Sequence, residues 1–141
     1  MIPIVVDTNV FVSALLSTGG GPSRGVIRSC LDRSFEPIMG VALFAEYEAL
    51  LRRSSITRKS PLSDEEREDL FNAFLTCARW QKIYFLWRPD LLDEADNHVL
   101  ELAVAGGARY IVTRNTKDFI RAELDFPHIL IRDPLNFLKE V

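Results

Sequence analysis

The run Ile4-Val5-Val6, followed at once by Asp7, constrains this chain more than any other feature. Three β-branched apolar residues read as a short strand buried on both faces, the pattern of a central strand in a parallel sheet. Beyond Asp7, Thr8 and Asn9 offer side-chain oxygens to the free N–H groups of a new helix. The apolar positions Val12, Leu15 and Leu16 of that helix recur at helical spacing. A carboxylate therefore stands between a buried strand and a helix. In open parallel α/β sheets ligands gather outside the carboxyl ends of the strands, so Asp7 occupies the place where such a fold does its chemistry.

At 141 residues the chain has one domain's length, taken as residues 1–141, and enough of it to bury a substantial core. Its longest near-uniform apolar run, Val10 to Leu16, is far too short to cross a bilayer. The amino terminus lacks the basic flank and small-residue cleavage site of a signal peptide, so the expectation is a cytoplasmic protein without membrane contact. Cys30 and Cys77 have no CxxC or Cys/His spacing, which gives no support to a zinc site or a disulfide framework and reads as two inert buried thiols. The formal net charge of -3 argues against indiscriminate binding of polyanions, while a local basic patch or a bound cation can still hold a phosphate.

Strand and helix patterns then alternate. Ser17 to Pro22 is a glycine-rich loop whose spacing matches neither a Walker A loop nor GxGxxG. A helix is expected at about Ser23 to Asp32, a strand at Phe35 to Met39 despite Pro37, and a helix from Val41 to Arg53. On that helix Glu46 and Glu48 flank the apolar stripe on opposite sides, each about 100° from its centre, and periodicity does not choose between them. Arg52 to Pro61 reads as an exposed basic loop. Ser63 to Glu66 is a capping box that opens a helix to about Trp80. Ile83 to Leu86 is a third short apolar run, and Asp93-Glu94-Ala95-Asp96 opens a helix that Gly106-Gly107 ends. Tyr110 to Thr113 and Ile129 to Ile131 are the last strands, and Asp133-Pro134 starts a short final helix. This alternation implies a parallel sheet wrapped in helices.

Polar groups collect at one edge of that sheet: Asp7, then Asp93 and Asp96 at a helix start, then Asn115 and Asp118 after the fourth strand. Right-handed crossovers bring the two strand ends to the same side. Like charges about 4 Å apart repel by roughly 4 kcal/mol at an effective dielectric near 20, so several ionised carboxylates do not share a pocket unaided. A divalent cation removes the conflict, and oxygen-only donors suit Mg²⁺ or Mn²⁺ rather than zinc. Such an ion polarises a phosphoryl oxygen and activates water, the chemistry of phosphodiester hydrolysis. Arg114 and Lys117 are the cations best placed to meet phosphates.

Four stretches resemble PIN domains. They are Val5-Val6-Asp7-Thr8-Asn9-Val10-Phe11, the glutamate of Leu43-Phe44-Ala45-Glu46-Tyr47, Asp93-Glu94-Ala95-Asp96-Asn97 leading into Leu102-Ala103, and Val112-Thr113-Arg114-Asn115-Thr116-Lys117-Asp118-Phe119. They come in the family's order across nearly the whole chain, which is most similar to the small bacterial toxins of toxin–antitoxin pairs, the VapC-like ribonucleases. The resemblance implies a three-layer α/β/α sandwich around a parallel sheet of about five strands. It also implies a Mg²⁺- or Mn²⁺-dependent endoribonuclease, the toxin of a type II pair, with RNA as substrate, a cognate antitoxin as partner and a homodimer as assembly. Asp7, Glu46 and Asp96 match the family's three core acids; Asn115 and Asp118 match its variable fourth position and that position's neighbour. Asp93 would be a supporting acid, and Thr8, Asn9 and Asn115 would orient the carboxylates. Many relatives have aspartate where this chain has Asn115, which keeps an oxygen ligand, loses a charge and bears on whether a second metal is held.

Each residue also has a plainer reading. Asp7 alone reads as a helix cap, Asp96 as a helix-dipole carboxylate, and Asn115 and Asp118 as a turn after a strand. His98 and His128 are isolated and read as structural. Trp80, Tyr84, Phe85 and Trp87 read as core packing before base stacking, with exposed members available to a subunit or antitoxin interface. The runner-up function is a binding module of the same fold that holds metal poorly. A phosphoaspartate receiver or phosphatase shares the acidic strand end but lacks a DxD start, since Asn9 takes the second acid's place.

Overall fold

Strand β1 (Ile2–Val6) lies at the middle of a parallel sheet, as its apolar run requires: Ile4, Val5 and Val6 are fully buried. The computed structural model describes residues 1–83 and 97–141 in full, and residues 94–96 as helical backbone. Among the described residues five strands pair in the order β3-β2-β1-β4-β5, all parallel. The others are β2 (Phe35–Met39), β3 (Arg79–Trp80), β4 (Tyr110–Val112) and β5 (Leu130–Arg132).

Between β1 and β2 come α1 (Thr8–Leu16) and α2 (Pro22–Leu31); α3 (Val41–Leu51), α4 (Ser54–Thr57) and α5 (Asp64–Cys77) link β2 to β3. The chain then turns back to β4 through α6 (Glu94–Gly106), reaches β5 by way of α7 (Ile120–Asp125) and closes with α8 (Pro134–Glu140). Parallel crossovers are right-handed, so connections that run outward from β1 to β3 lie on one face and the return through α6 lies on the other. The result is the α/β/α sandwich. Strand order reverses between β1 and β4, and a crevice at such a switch point is where open parallel sheets hold ligands.

Buried aromatic rings tie the first face together. Phe11 on α1 packs edge-on against Tyr47 of α3 at 5.5 Å between centroids and against Phe71 of α5 at 5.8 Å, with Phe74 at 5.2 Å. The Tyr47 hydroxyl donates to the Val6 carbonyl at 2.8 Å, which pins α3 to the last residue of β1. On the other face α6 lies tight against β2. A side-chain carbon at Gly106 would come within 2.8 Å of Ile38 Cδ1, and one at Gly40 within 3.0 Å of Leu102 Cδ1. Both glycines allow that approach.

Several expectations need correction. Thr8 and Asn9 do not cap α1; Asp7 does, its Oδ1 accepting from the Thr8 N–H at 2.8 Å. The stretch from Arg52 to Pro61 is not wholly loop, because Ser54–Thr57 is a turn of helix that buries Ile56. The helix expected to reach about Trp80 stops at Cys77, where Ala78 turns extended and Arg79–Trp80 pairs with Ile38 and Met39. Of the apolar run Ile83 to Leu86, Ile83 belongs to no element and the rest lies outside the described residues. Pro37 is tolerated in β2 because it sits just outside the two-residue pairing with β3. Thr116–Phe119 forms a 3-10 turn leading into α7, anchored by buried Phe119 and Ala122. Both expected caps, the box at Ser63 with Glu66 and Asp133 before Pro134, are present. Cys30 is buried, which pushes its thiol up to about 12, and Cys77 is half-buried; both are free.

Replacing Phe11 by alanine opens a cavity among three packed rings. Phe11→Ala is expected to destabilise the fold by about 3–5 kcal/mol. Urea unfolding followed by circular dichroism measures this, and a loss below about 1 kcal/mol would show that the ring cluster is not the core of that face.

Candidate active site

Asp7 is 4% exposed, an uncommon state for an aspartate, and its carboxylate is held from three directions. Oδ1 accepts from the backbone N–H of Thr8, and Oδ2 accepts from the Thr113 hydroxyl at 2.8 Å and from the Asn9 amide at 3.4 Å. Thr113 follows β4 as Asp7 follows β1. The register pairs Val6 with Val112, so the two next residues meet across the switch point. The Asp7 N–H also donates to the Val112 carbonyl at 2.9 Å. Asn9 closes the arrangement: its Nδ2 donates to Thr113 Oγ1 at 3.3 Å and its Oδ1 accepts from the Arg114 N–H at 3.1 Å.

Glu46 joins from α3 and settles the choice that periodicity leaves open. Its Oε1 accepts from the Thr8 hydroxyl at 2.7 Å, while Glu48 lies away from the acids and pairs with Arg52 at 3.9 Å. Thr8 thus stands between the two carboxylates, its N–H on Asp7 and its hydroxyl on Glu46. The second Glu46 oxygen, Oε2, lies 2.7 Å from Nε2 of His98 on α6. Among the described residues His98 Nδ1 is buried and has no hydrogen-bond partner, as is true of Asn97 Oδ1 beside it. An unsatisfied buried polar atom costs about 1–3 kcal/mol.

The remaining predicted residues lie around this centre. Asn115 uses its backbone N–H, which donates to Thr113 Oγ1 at 3.1 Å, and its side chain is exposed. Asp118 is half-buried in the 3-10 turn, its N–H bonded to the Asn115 carbonyl at 3.0 Å. Arg114 and Lys117 are exposed, and Lys117 lines a polar cleft of about 290 Å³ with Thr116, Arg132 and Asn136 beyond β5. Asp93 lies outside the described residues. So does the side chain of Asp96, which belongs to the first turn of α6. Trp80 is half-exposed against Phe44 at 5.5 Å; Tyr84, Phe85 and Trp87 lie outside the described residues. Arg52, Arg53, Arg58 and Lys59 are all exposed.

Sequence reasoning missed two residues of the network, Thr113 and His98. Thr113 was within reach, because a polar residue ending the strand paired with β1 must face Asp7 once the strand order is known. His98 carried no such signal, since its partner comes from a different helix 52 positions away.

The PIN-domain family model matches residues 3–117. The chain belongs to the PIN-domain family. No curated protein matches it. In fold it is similar to the crystal structure of VapBC2 from Rickettsia felis bound to a DNA fragment from their promoter, with a TM-score of 0.55 and 13% identity over 94% of this chain and 98% of that one.

In this PIN domain the two acids have opposite electrostatics. Burial pushes the Asp7 carboxyl above its ordinary value, the Thr113 hydrogen bond opposes that shift, and the charge of Glu46 adds to it. Glu46 shifts down, chiefly through the hydrogen bond to His98 and also through Thr8, against the effect of burial. The donors are hard oxygens, and a divalent cation would offset both the burial that chiefly raises Asp7 and the smaller repulsion from Glu46, so the pair fits Mg²⁺ or Mn²⁺. Among the described residues no three His, Cys, Asp or Glu side chains group as a ready metal site.

An aspartate whose folded value lies above its unfolded one binds its proton more tightly when folded. Its stabilising contribution is full below the unfolded value near 3.8 and is lost as pH rises through the raised folded value. In EDTA, wild type is therefore expected to lose stability relative to Asp7→Asn as pH is raised from about 4 to 8. Urea unfolding across that range checks this; parallel pH curves for the two proteins would contradict it.

Proposed function

We propose that this PIN domain is a Mg²⁺- or Mn²⁺-dependent endoribonuclease and the toxin of a type II toxin–antitoxin pair. The observation that carries the reading is the buried Asp7 carboxylate at the switch point, linked through Thr8 to Glu46. PIN domains are generally nucleases, and a buried carboxylate with a second acid held beside it is an arrangement in which a divalent cation supports hydrolysis. The motif resemblance and the likeness in fold to VapBC2 support the toxin assignment.

In the proposed mechanism Asp7 and Asp96 would hold the metal, with Glu46 at its edge as a third oxygen donor. When bound, the ion polarises the scissile phosphate and offsets the charge that builds on it. Thr113, Asn9 and the Thr8 N–H fix the direction of the Asp7 carboxylate. Glu46 orients a water and takes its proton as the oxygen attacks phosphorus in line. The bond from phosphorus to the ribose 3′-oxygen breaks and that oxygen is protonated, which yields a 5′-phosphate and a 3′-hydroxyl. Arg114 and Lys117, both exposed beside this edge, contact the flanking phosphates. Asn115 and Asp118 complete the rim, and Asp93 supports Asp96. A cognate antitoxin protein and a second copy of the chain are the proposed partners. No described helix is long and apolar enough to cross a membrane, and a cytoplasmic site of action is proposed.

The test is cleavage of a pool of structured and single-stranded RNA with Mg²⁺ or Mn²⁺. Asp7→Ala is expected to lower the rate more than about 100-fold, beyond the usual effect of losing an outer-shell partner, and EDTA to abolish cleavage. Wild type and Asp7→Ala equally inert with every metal, while both still bind RNA or a partner, would replace the enzyme with a binding module.

A further inference from the structure

We propose that His98 is a positioning residue of this site, holding the Glu46 carboxylate from the side opposite Thr8. The inference rests on the nuclease reading above, because orientation matters to a Glu46 that acts on water. A glutamate in the middle of a helix normally samples several rotamers. Glu46 is instead held at both oxygens, Oε1 by the Thr8 hydroxyl and Oε2 by His98 Nε2, each at 2.7 Å. Turning the carboxyl plane breaks one of the two bonds. Each oxygen still has a lone pair free for a water or a cation.

The histidine is itself well placed to act this way. Nδ1 is buried and unpartnered, so among the described residues the hydrogen bond to Glu46 is the one the ring makes. A histidine kept for structure alone is expected to satisfy both nitrogens or expose one. Among the described residues this ring leaves Nδ1 without a partner and keeps Nε2 on the acid. Its helix is a rigid support: Val99, Leu100, Leu102 and Ala103 are buried, and Leu102 packs closely over Gly40, which precedes α3. Side chains held on packed elements are pre-organised in a way that loop residues are not.

Three substitutions separate positioning from mere packing. The terminal amide of glutamine reaches where Nε2 stands, while that of asparagine stops near the place of Nδ1, short of Glu46. With Mn²⁺ and RNA, His98→Ala and His98→Asn are expected to lower kcat by about 10- to 100-fold with KM unchanged, and His98→Gln to recover most of the loss. Calorimetric Mn²⁺ affinity is expected to weaken in the same order, and melting temperatures are recorded to normalise for folded protein. If His98→Ala folds poorly, the comparison of Gln with Asn still decides. Unchanged cleavage in His98→Ala, Gln no better than Asn, or a loss wholly explained by unfolded protein would overturn the proposal. A wild type that does not cleave RNA with any metal overturns the nuclease reading and the role of His98 together. That outcome is distinct from an active wild type indifferent to position 98.

Discussion

Everything at the carboxyl edge of the sheet depends on the contact between Asp7 and Thr113. It joins the ends of β1 and β4, the two strands on either side of the point where strand order reverses, at 2.8 Å. Without a partner across that gap a carboxylate 4% exposed would have little to offset the loss of water. The hydroxyl, the Thr8 N–H and the Asn9 amide compensate in part, and burial still raises the acid above its ordinary value. The fold therefore holds an anion that it does not fully satisfy. Unfavourable groups of this kind concentrate where a protein binds or reacts.

From that contact a chain of hydrogen bonds crosses the molecule. It runs from Thr113 to Asp7, through Thr8 to Glu46, and on to His98, so that β4, β1, α1, α3 and α6 each supply one part. Packing makes the chain possible. Tyr47, one residue after Glu46, is bonded to the Val6 carbonyl, one residue before Asp7, and its ring lies among Phe11, Phe71 and Phe74. The core on one face thereby sets the distance between the two acids. On the other face the close approach of α6 to Ile38 and Gly40 brings His98 within reach.

The sequence disclosed parts of this that depend on local pattern. A central parallel strand is apolar on both faces, so β1 and the acid that ends it were readable, as was the alternation that makes the sandwich. Strand β3 was not, because two residues carry no periodicity and the apolar run downstream from Ile83 was the stronger signal. The turn of helix at Ser54 was hidden by basic and polar neighbours, with buried Ile56 its single apolar clue. Glu46 and Glu48 were equal by helical geometry, and the resemblance to PIN domains singled out Glu46, the one that meets Thr8. Thr113 and His98 required knowledge of which strands and helices meet, which spacing along one element does not contain.

The central claim is that the Asp7 and Glu46 carboxylates form the floor of a divalent-metal site. Anomalous diffraction from a crystal soaked in Mn²⁺ tests it most directly. The account predicts a manganese peak about 2.0–2.2 Å from an Asp7 carboxylate oxygen, at the carboxyl ends of β1 and β4, lost in Asp7→Ala. Saturating Mn²⁺ with no peak at that edge, or with the ion bound elsewhere and Asp7 untouched, would contradict it.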